Sequence, residues 1–296
     1  MHDDDLEVSD GLARALIDAQ FPAYAGLALR RLPSSGTVNV IFRLGPRLSV
    51  RFPRRAGDTN ATRAALEQEA IRAAEFAEGS TVAAPRPAGI GAPASGYPLS
   101  WSIQTWVPGV PASPTGTADS TGLARDLANL ISALRAIPTR GRRFTGSGRG
   151  GDLRTHDDWV ETCLSKSQHL LDVTALRRLW NRLRTTPRNQ PDQMTHGDLI
   201  PGNVLLADGR LVGVLDTGGF GPADPALDLV AAWHLLDDDA RGLLRTALAC
   251  DAAEWERGKG WAFQQAIGAA WYYHATNPDM HDMGMTTLHR LLESEE

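Results

Sequence analysis

The chain has 296 residues, 42% of them hydrophobic and 22% charged, and carries a net charge of −5. That length supports one large or two medium domains with a sizeable core, and the mild acidity excludes the basic footprint of a nucleic-acid binder. No apolar run reaches the about 18 residues of a membrane span, and the acidic start Met1-His2-Asp3-Asp4-Asp5 has no secretory leader pattern, so a cytoplasmic protein is expected.

Taken in chain order, Ser9 and Asp10 read as the cap of a helix with Leu12, Leu16 and Ala19 on one face. Two strand-like runs follow, Thr37 to Leu44 and Leu48 to Phe52, joined by a Gly45-Pro46-Arg47 turn. A helix is predicted over about 60–78, facing inward through Leu66, Ala70, Ala73 and Phe76. The Pro/Gly-rich stretch Ala84 to Pro98 offers little that is helical, and Leu99 to Val107 reads as a strand. Pro108-Gly109 is a break and Pro111 to Gly116 a linker, so the boundary between a first domain, 1–107, and a second, 108–296, falls there.

Beyond it helical patterns dominate. Leu123, Leu127, Leu130, Leu134 and Ile137 form one stripe, ended by Pro138. The basic, Gly-rich run Arg140 to Gly151 is a loop, read as a solvated connector in preference to a substrate contact. Further helices are predicted at Asp157–Leu171, Thr174–Leu183, and about 225–236, 237–249 and 252–275, with a short one after Pro278. The fold class is α+β, a small mixed unit followed by a larger, mainly helical one. Cys163 and Cys250 lack metal-ligand spacing and read as buried free thiols.

The most informative run is Thr195-His196-Gly197-Asp198-Leu199-Ile200-Pro201-Gly202-Asn203. A strand (Val204 to Leu206), a turn (Ala207 to Arg210) and a second strand (Leu211 to Leu215) return the chain to Asp216 and then Gly218-Gly219. Phosphoryl transfer needs such a set. One carboxylate orients or deprotonates the attacking hydroxyl, and a second carboxylate with a side-chain oxygen holds Mg²⁺ against the phosphates.

This order resembles the catalytic loop (H-R-D-x-x-x-x-N) and metal segment (D-F-G) of protein kinases. With Gly197 in place of the arginine, it is similar to the aminoglycoside phosphotransferases and the choline-kinase-like enzymes. Asp224-Pro225-Ala226-Leu227-Asp228-Leu229 matches the D-P-x-x-D-L helix start of the same family. The resemblance implies a protein-kinase-like two-lobe fold and assigns roles by position. Asp198 is the catalytic base or hydroxyl-orienting group, and Asn203 and Asp216 are Mg²⁺ ligands. His196 holds the loop, and Asp228 is a buried brace accepting hydrogen bonds from loop backbone. Asp224 reads as a helix cap rather than a catalytic group.

The same resemblance extends more loosely to the first domain. Ser34 to Asn39 stands where the family places its phosphate-covering loop, so Ser35, Gly36 and Asn39 are candidate phosphate contacts, with a plain hairpin turn as the alternative. Arg51 takes the position of the phosphate-binding lysine, partnered by Glu69, with Glu67 as runner-up. Trp101 to Gly109 fits the strand and hinge, which points to backbone at Thr105 to Val107 for the purine of ATP or GTP.

Acceptor binding is implied between the catalytic loop and the C-terminal helices, which carry Trp233, His234, Trp255, Trp261, Trp271, Tyr272, Tyr273 and His274. A partly acidic pocket, using Asp279, Asp282, Glu293, Glu295 and Glu296, competes there with the favoured reading of an aromatic core and a solvated acidic tail. The expected activity is γ-phosphoryl transfer from a Mg-nucleotide to a hydroxyl of a small molecule, first of all an aminoglycoside-like antibiotic. A macrolide kinase, a metabolic kinase for choline, a sugar or another alcohol, and a silent nucleotide-binding pseudokinase are the alternatives.

Overall fold

The computed structural model describes residues 6–33, 38–146 and 148–295. The chain separates into two compact units: one runs to Glu78 and resumes over Ala84–Val107, and the other takes Gly79–Ala83 and the chain from Pro108 onward.

In the smaller unit, helix α1 (Asp10–Gln20) starts where the Ser9 side chain accepts the Leu12 N–H at 3.1 Å. It buries Ala13, Leu16 and Ile17, whereas Ala19 is exposed, so the inward face is rotated from the expected one. Strands β1 (Leu29–Arg31), β2 (Asn39–Leu44), β3 (Leu48–Pro53), β4 (Pro87–Gly91) and β5 (Trp101–Thr105) form one antiparallel sheet in the order β1-β2-β3-β5-β4. The β2–β3 hairpin closes at Leu44 and Leu48, as the Gly45-Pro46-Arg47 turn predicts. Phe42, Val50, Phe52, Trp101 and Ile103 are fully buried and make the core. β1 and β4 were not predicted. β4 lies in the Pro/Gly-rich stretch, and an irregular register between Pro87 and Gly89 lets it join the sheet despite its composition. Helix α2 (Thr59–Gly79) turns Leu66 and Phe76 inward.

Among the described residues, the larger unit holds five short strands that set the functional loop. β6 (Val110–Pro111), β8 (Val204–Ala207) and β9 (Arg210–Val214) form one sheet, and β7 (Gln193–Thr195) pairs with β10 (Gly221–Ala223). The β8–β9 hairpin turns through Asp208 and Gly209, both left-handed, the backbone a tight two-residue hairpin requires.

The rest of the unit is mainly helical, with α3 (Thr121–Ala136) packed on β7 and β9, followed by α4 (Asp157–Lys166), α5 (Val173–Leu183), α6 (Val230–Leu235), α7 (Asp238–Ala247), α8 (Ala252–Tyr272) and α9 (Pro278–Glu293). The stripe Leu123, Leu127, Leu130, Leu134 of α3 is buried. α8 is buried almost all round, a central helix rather than an amphipathic one. Four boundaries differ from expectation. α4 stops at Lys166 because the Ser167 N–H closes its last turn on Cys163 and Leu164. Residues 225–236 divide into a 3₁₀ turn, Pro225–Leu229, and α6. α8 ends at Tyr272. α9 is a full helix rather than a short one, because Met283, Thr287, Leu288 and Leu291 repeat at helical spacing and are buried.

Both thiols are free, but only Cys163 is buried; Cys250 is half-buried. Desolvation pushes Cys163 up to about 11 and Cys250 up to about 12. Among the described residues no helix is long and apolar enough to cross a membrane.

Candidate active site

The loop from His196 to Asn203 follows β7, and its shape is fixed by groups on either side. Gly197 has φ +83°, a conformation that a β-carbon disfavours, so this turn calls for glycine. Its N–H donates to Asp228 Oδ1 at 2.8 Å, and the His196 N–H donates to Asp228 Oδ2 at 3.0 Å. Asp228 is fully buried at the end of the turn before α6. Burial pushes its carboxyl up, while His196 and these two amides act the other way.

His196 also reaches across to the returning strand. The Asp198 N–H donates to His196 Nδ1 at 3.2 Å, which leaves the imidazole proton on Nε2, facing the Leu215 carbonyl at 2.9 Å. The Leu215 N–H donates to the Asn203 carbonyl at 2.8 Å. Leu215 is thus gripped at both backbone groups, and the next residue, Asp216, is delivered beside Asn203. Asp216 sits in the left-handed region, φ +57°, is exposed, and accepts no hydrogen bond or ion pair from the described residues.

Asp198 is crowded by donors. Asn203 Nδ2 donates to its Oδ2 at 3.0 Å and to its backbone carbonyl at 2.9 Å. Arg149 and Gln265 Nε2 both donate to Oδ1, at 2.7 and 2.8 Å. Oδ1 therefore has two partners and Oδ2 one. Because Asn203 spends its amide nitrogen on Asp198, its Oδ1 has no partner among the described residues.

Two of these contacts were not foreseen. Arg149 lies in the run expected to be a solvated connector, and the structure corrects that reading. Most of the run is exposed, but it is held at points and its end is packed: Phe144 N–H donates to Asp192, the Gly150 carbonyl accepts the Asp224 N–H at 2.8 Å, and a β-carbon on Gly150 would come within 2.6 Å of Ala223. The density of arginine and glycine marks the run as a whole, but nothing in the sequence singles out Arg149 within it. Gln265 had no local signal, being one polar residue on a buried helix.

Asp224 does cap the next turn, through the Ala226 N–H at 3.1 Å. It is also the centre of a buried polar cluster, meeting Arg257 at 2.9 Å and Trp261 Nε1 at 3.1 Å. Arg257 in turn donates to Pro187 and Gln190. This cluster pins the strand β10 that pairs with β7 just ahead of the loop.

In the smaller unit, Arg51 on β3 meets Glu69 on α2 at 3.5 Å, and Glu67 pairs with Arg63 instead. Asn39 is half-buried at the start of β2. Ser35 and Gly36 lie outside the described residues. At the hinge, the Thr105 N–H donates to Arg86 and the Trp106 N–H to Arg47, both at 2.8 Å. The Val107 N–H has no partner among the described residues.

On the acceptor side, Trp233 and Trp261 are core, Trp255 is 7% exposed, and Tyr272 is solvent-facing. Glu295 pairs with Lys259 and Arg182. Asp279, Asp282 and Glu293 are exposed, and Glu296 lies outside the described residues. The aromatic-core reading describes these helices better than an acidic pocket does. Among the described residues there is no cluster of three or more His, Cys, Asp or Glu able to hold a metal, so any cation site here is two carboxylates and an amide at most.

Residues 29–261 match the family model of the phosphotransferase enzyme family. An aminoglycoside 3'-phosphotransferase of Streptomyces fradiae is 28% identical over 152 residues, 47% of this chain and 54% of that protein. The matched stretches span about half, or less, of the curated relatives' own length. Among solved structures, the GDP and kanamycin complex of an aminoglycoside 2''-phosphotransferase aligns with a TM-score of 0.67 at 18% identity, covering 96% of this chain and 99% of that one. A macrolide 2'-phosphotransferase from Brachybacterium faecium aligns with a TM-score of 0.60 at 20% identity, covering 93% and 96%. At such identities the likeness is one of fold, and that fold is protein-kinase-like and mixed α+β.

Proposed function

Since the chain belongs to the phosphotransferase enzyme family, we propose that it moves the γ-phosphoryl group of a Mg-nucleotide to a hydroxyl of a small molecule, an aminoglycoside-like acceptor first. The observation that carries this reading is the carboxylate of Asp198. It is presented by a loop braced from below by Asp228, with Oδ1 saturated by Arg149 and Gln265 and Oδ2 left with room for one more hydrogen bond. That less-burdened oxygen takes the proton of the attacking hydroxyl. Arg149 places positive charge beside it, where negative charge gathers on the transferred group.

Asp216 and the free Oδ1 of Asn203 fit a small hard cation, since both are oxygen donors with no competing protein partner among the described residues. When bound there, Mg²⁺ neutralises charge on the β- and γ-phosphates. Arg51, oriented by Glu69, holds the α- and β-phosphates, and Ser35, Gly36 and Asn39 line the covering loop. With the Thr105 and Trp106 amides already engaged, purine recognition at the hinge falls to the Val107 N–H and neighbouring carbonyls. Both adenine and guanine carry an acceptor for that donor, so ATP and GTP are both donors to test. A protein with this donor requirement works in the cytoplasm, where nucleotide is available.

The test is mass spectrometry of aminoglycosides, macrolides and small alcohols after incubation with Mg-ATP or Mg-GTP. A gain of about 80 Da, absent with Asp198→Ala, is the expected result. Nucleotide binding with no product on any acceptor would contradict the transferase reading and favour a silent nucleotide-binding protein.

A further inference from the structure

A line of polar side chains crosses the otherwise apolar interior where α6, α8 and α9 meet. Thr287 on α9 and His234 on α6 are fully buried, and Gln265 on α8 is 9% exposed. Thr287 Oγ1 lies 2.8 Å from His234 Nδ1, and His234 Nε2 lies 2.8 Å from Gln265 Oε1. Gln265 Nε2 ends the line on Asp198 Oδ1 at 2.8 Å.

Each link dictates the polarity of the next. A carboxylate only accepts, so Gln265 turns its nitrogen to Asp198 and its oxygen to His234. That oxygen also only accepts, so His234 carries its proton on Nε2. Its Nδ1 is then left to accept the Thr287 hydroxyl proton, for which the Trp233 carbonyl, at 3.5 Å, is the weaker alternative. Without the imidazole, the Gln265 amide has two orientations, and one sets oxygen against the carboxylate. A fully satisfied buried network of this kind rigidifies what it touches.

The charged groups facing the line are Arg149 at Asp198, and Arg149 and Arg290 around His234. Burial, with those two cations, pushes His234 down to about 4, so the imidazole remains neutral and the polarity of the chain persists at neutral pH.

We propose that Gln265, locked in orientation by His234 and Thr287, is a positioning residue that decides which oxygen of Asp198 is left open to the acceptor hydroxyl. This rests on the reading of Asp198 as the base. It also gives His234 a role that packing alone does not.

The experiment measures turnover of Mg-ATP and Mg-GTP with kanamycin as acceptor and with water alone, alongside nucleotide affinity and Tm. Gln265→Leu and His234→Phe lower kcat about 10- to 100-fold while nucleotide Kd holds. His234→Gln, which keeps a donor at the Nε2 position, restores most of the rate, and Thr287→Val, nearly isosteric, lowers it least. Unchanged kcat in Gln265→Leu and His234→Phe, with only Tm reduced, would make the line a structural feature and overturn the proposal. Imidazole ¹⁵N NMR of the unsubstituted protein tests it even where a variant does not fold: the Nε2–H tautomer at His234 is expected, and Nδ1–H contradicts the chain. Asp198→Ala separates the two readings. If it retains turnover, the base assignment fails; if it alone abolishes turnover, only the positioning role fails.

Discussion

Around Asp198 in the larger unit, the carboxylate, the loop amides and the returning strand are tied to partners from 2 to 67 residues away, several of them buried. Around Arg51 in the smaller unit, the side-chain pairing among the described residues is a 3.5 Å contact to Glu69, whose side chain is 41% exposed. The contrast follows from what each region must do. A group that takes a proton in the reacting complex has to be held to a fraction of an ångström, and buried hydrogen bonds supply that. A cation that meets a mobile polyphosphate tolerates slack, and a solvent-exposed ion pair leaves it some.

Asp216→Ala removes a carboxylate that holds nothing among the described residues, so it should leave stability unchanged while cutting transfer by about 10²- to 10³-fold, with a shifted Mg²⁺ requirement. Steady-state rates across a Mg²⁺ titration check this, and an unaltered Mg²⁺ profile would remove Asp216 as a ligand. Asp224→Ala is the opposite case. It leaves Arg257, 4% exposed, without its carboxylate and should cost about 3–5 kcal/mol in urea unfolding. A smaller loss would mean that Gln190 and Pro187 suffice for the guanidinium.

What the sequence disclosed follows the same division. Asp198, Asn203, Asp216 and Asp228 lie within one short run whose order is dictated by a loop, a hairpin and a helix start, so their meeting is a local matter. Arg149 and Gln265 reach Asp198 across 49 and 67 residues, and no local pattern marks them. Strands β1 and β4 were missed for a related reason: three residues, or a stretch with proline and glycine, become strand only when a neighbour supplies the ladder. Helix α9 was underestimated because its inward stripe is built on Met283 and Thr287 as well as Leu288 and Leu291, and only packing against α8 shows the first two as core positions.

Smaller effects sharpen the contrast. Arg51→Ala should weaken Mg-nucleotide binding about 10-fold, read by calorimetry, whereas Glu69→Ala should cost at most about 1 kcal/mol of stability, as exposed pairs do. Equal losses of nucleotide affinity would show that the pair acts as a unit rather than loosely. The pH response should come from the larger unit. His234 is pushed down to about 4 when folded, against 6.5 for an unperturbed imidazole. Between those values the unfolded chain binds the extra proton, so the stability is fully present above about 6.5 and drains as pH falls toward 4. His234→Gln should flatten that part of the stability profile.

The most direct measurement is a side-by-side determination of Mg-nucleotide affinity and phosphoryl transfer for Asp198→Ala and the unsubstituted protein. Nucleotide affinity is expected to be nearly unchanged and transfer reduced by about 10²- to 10⁴-fold, the range for losing a general base. Transfer at close to the original rate would contradict Asp198 as the base and require the proton to leave by another group.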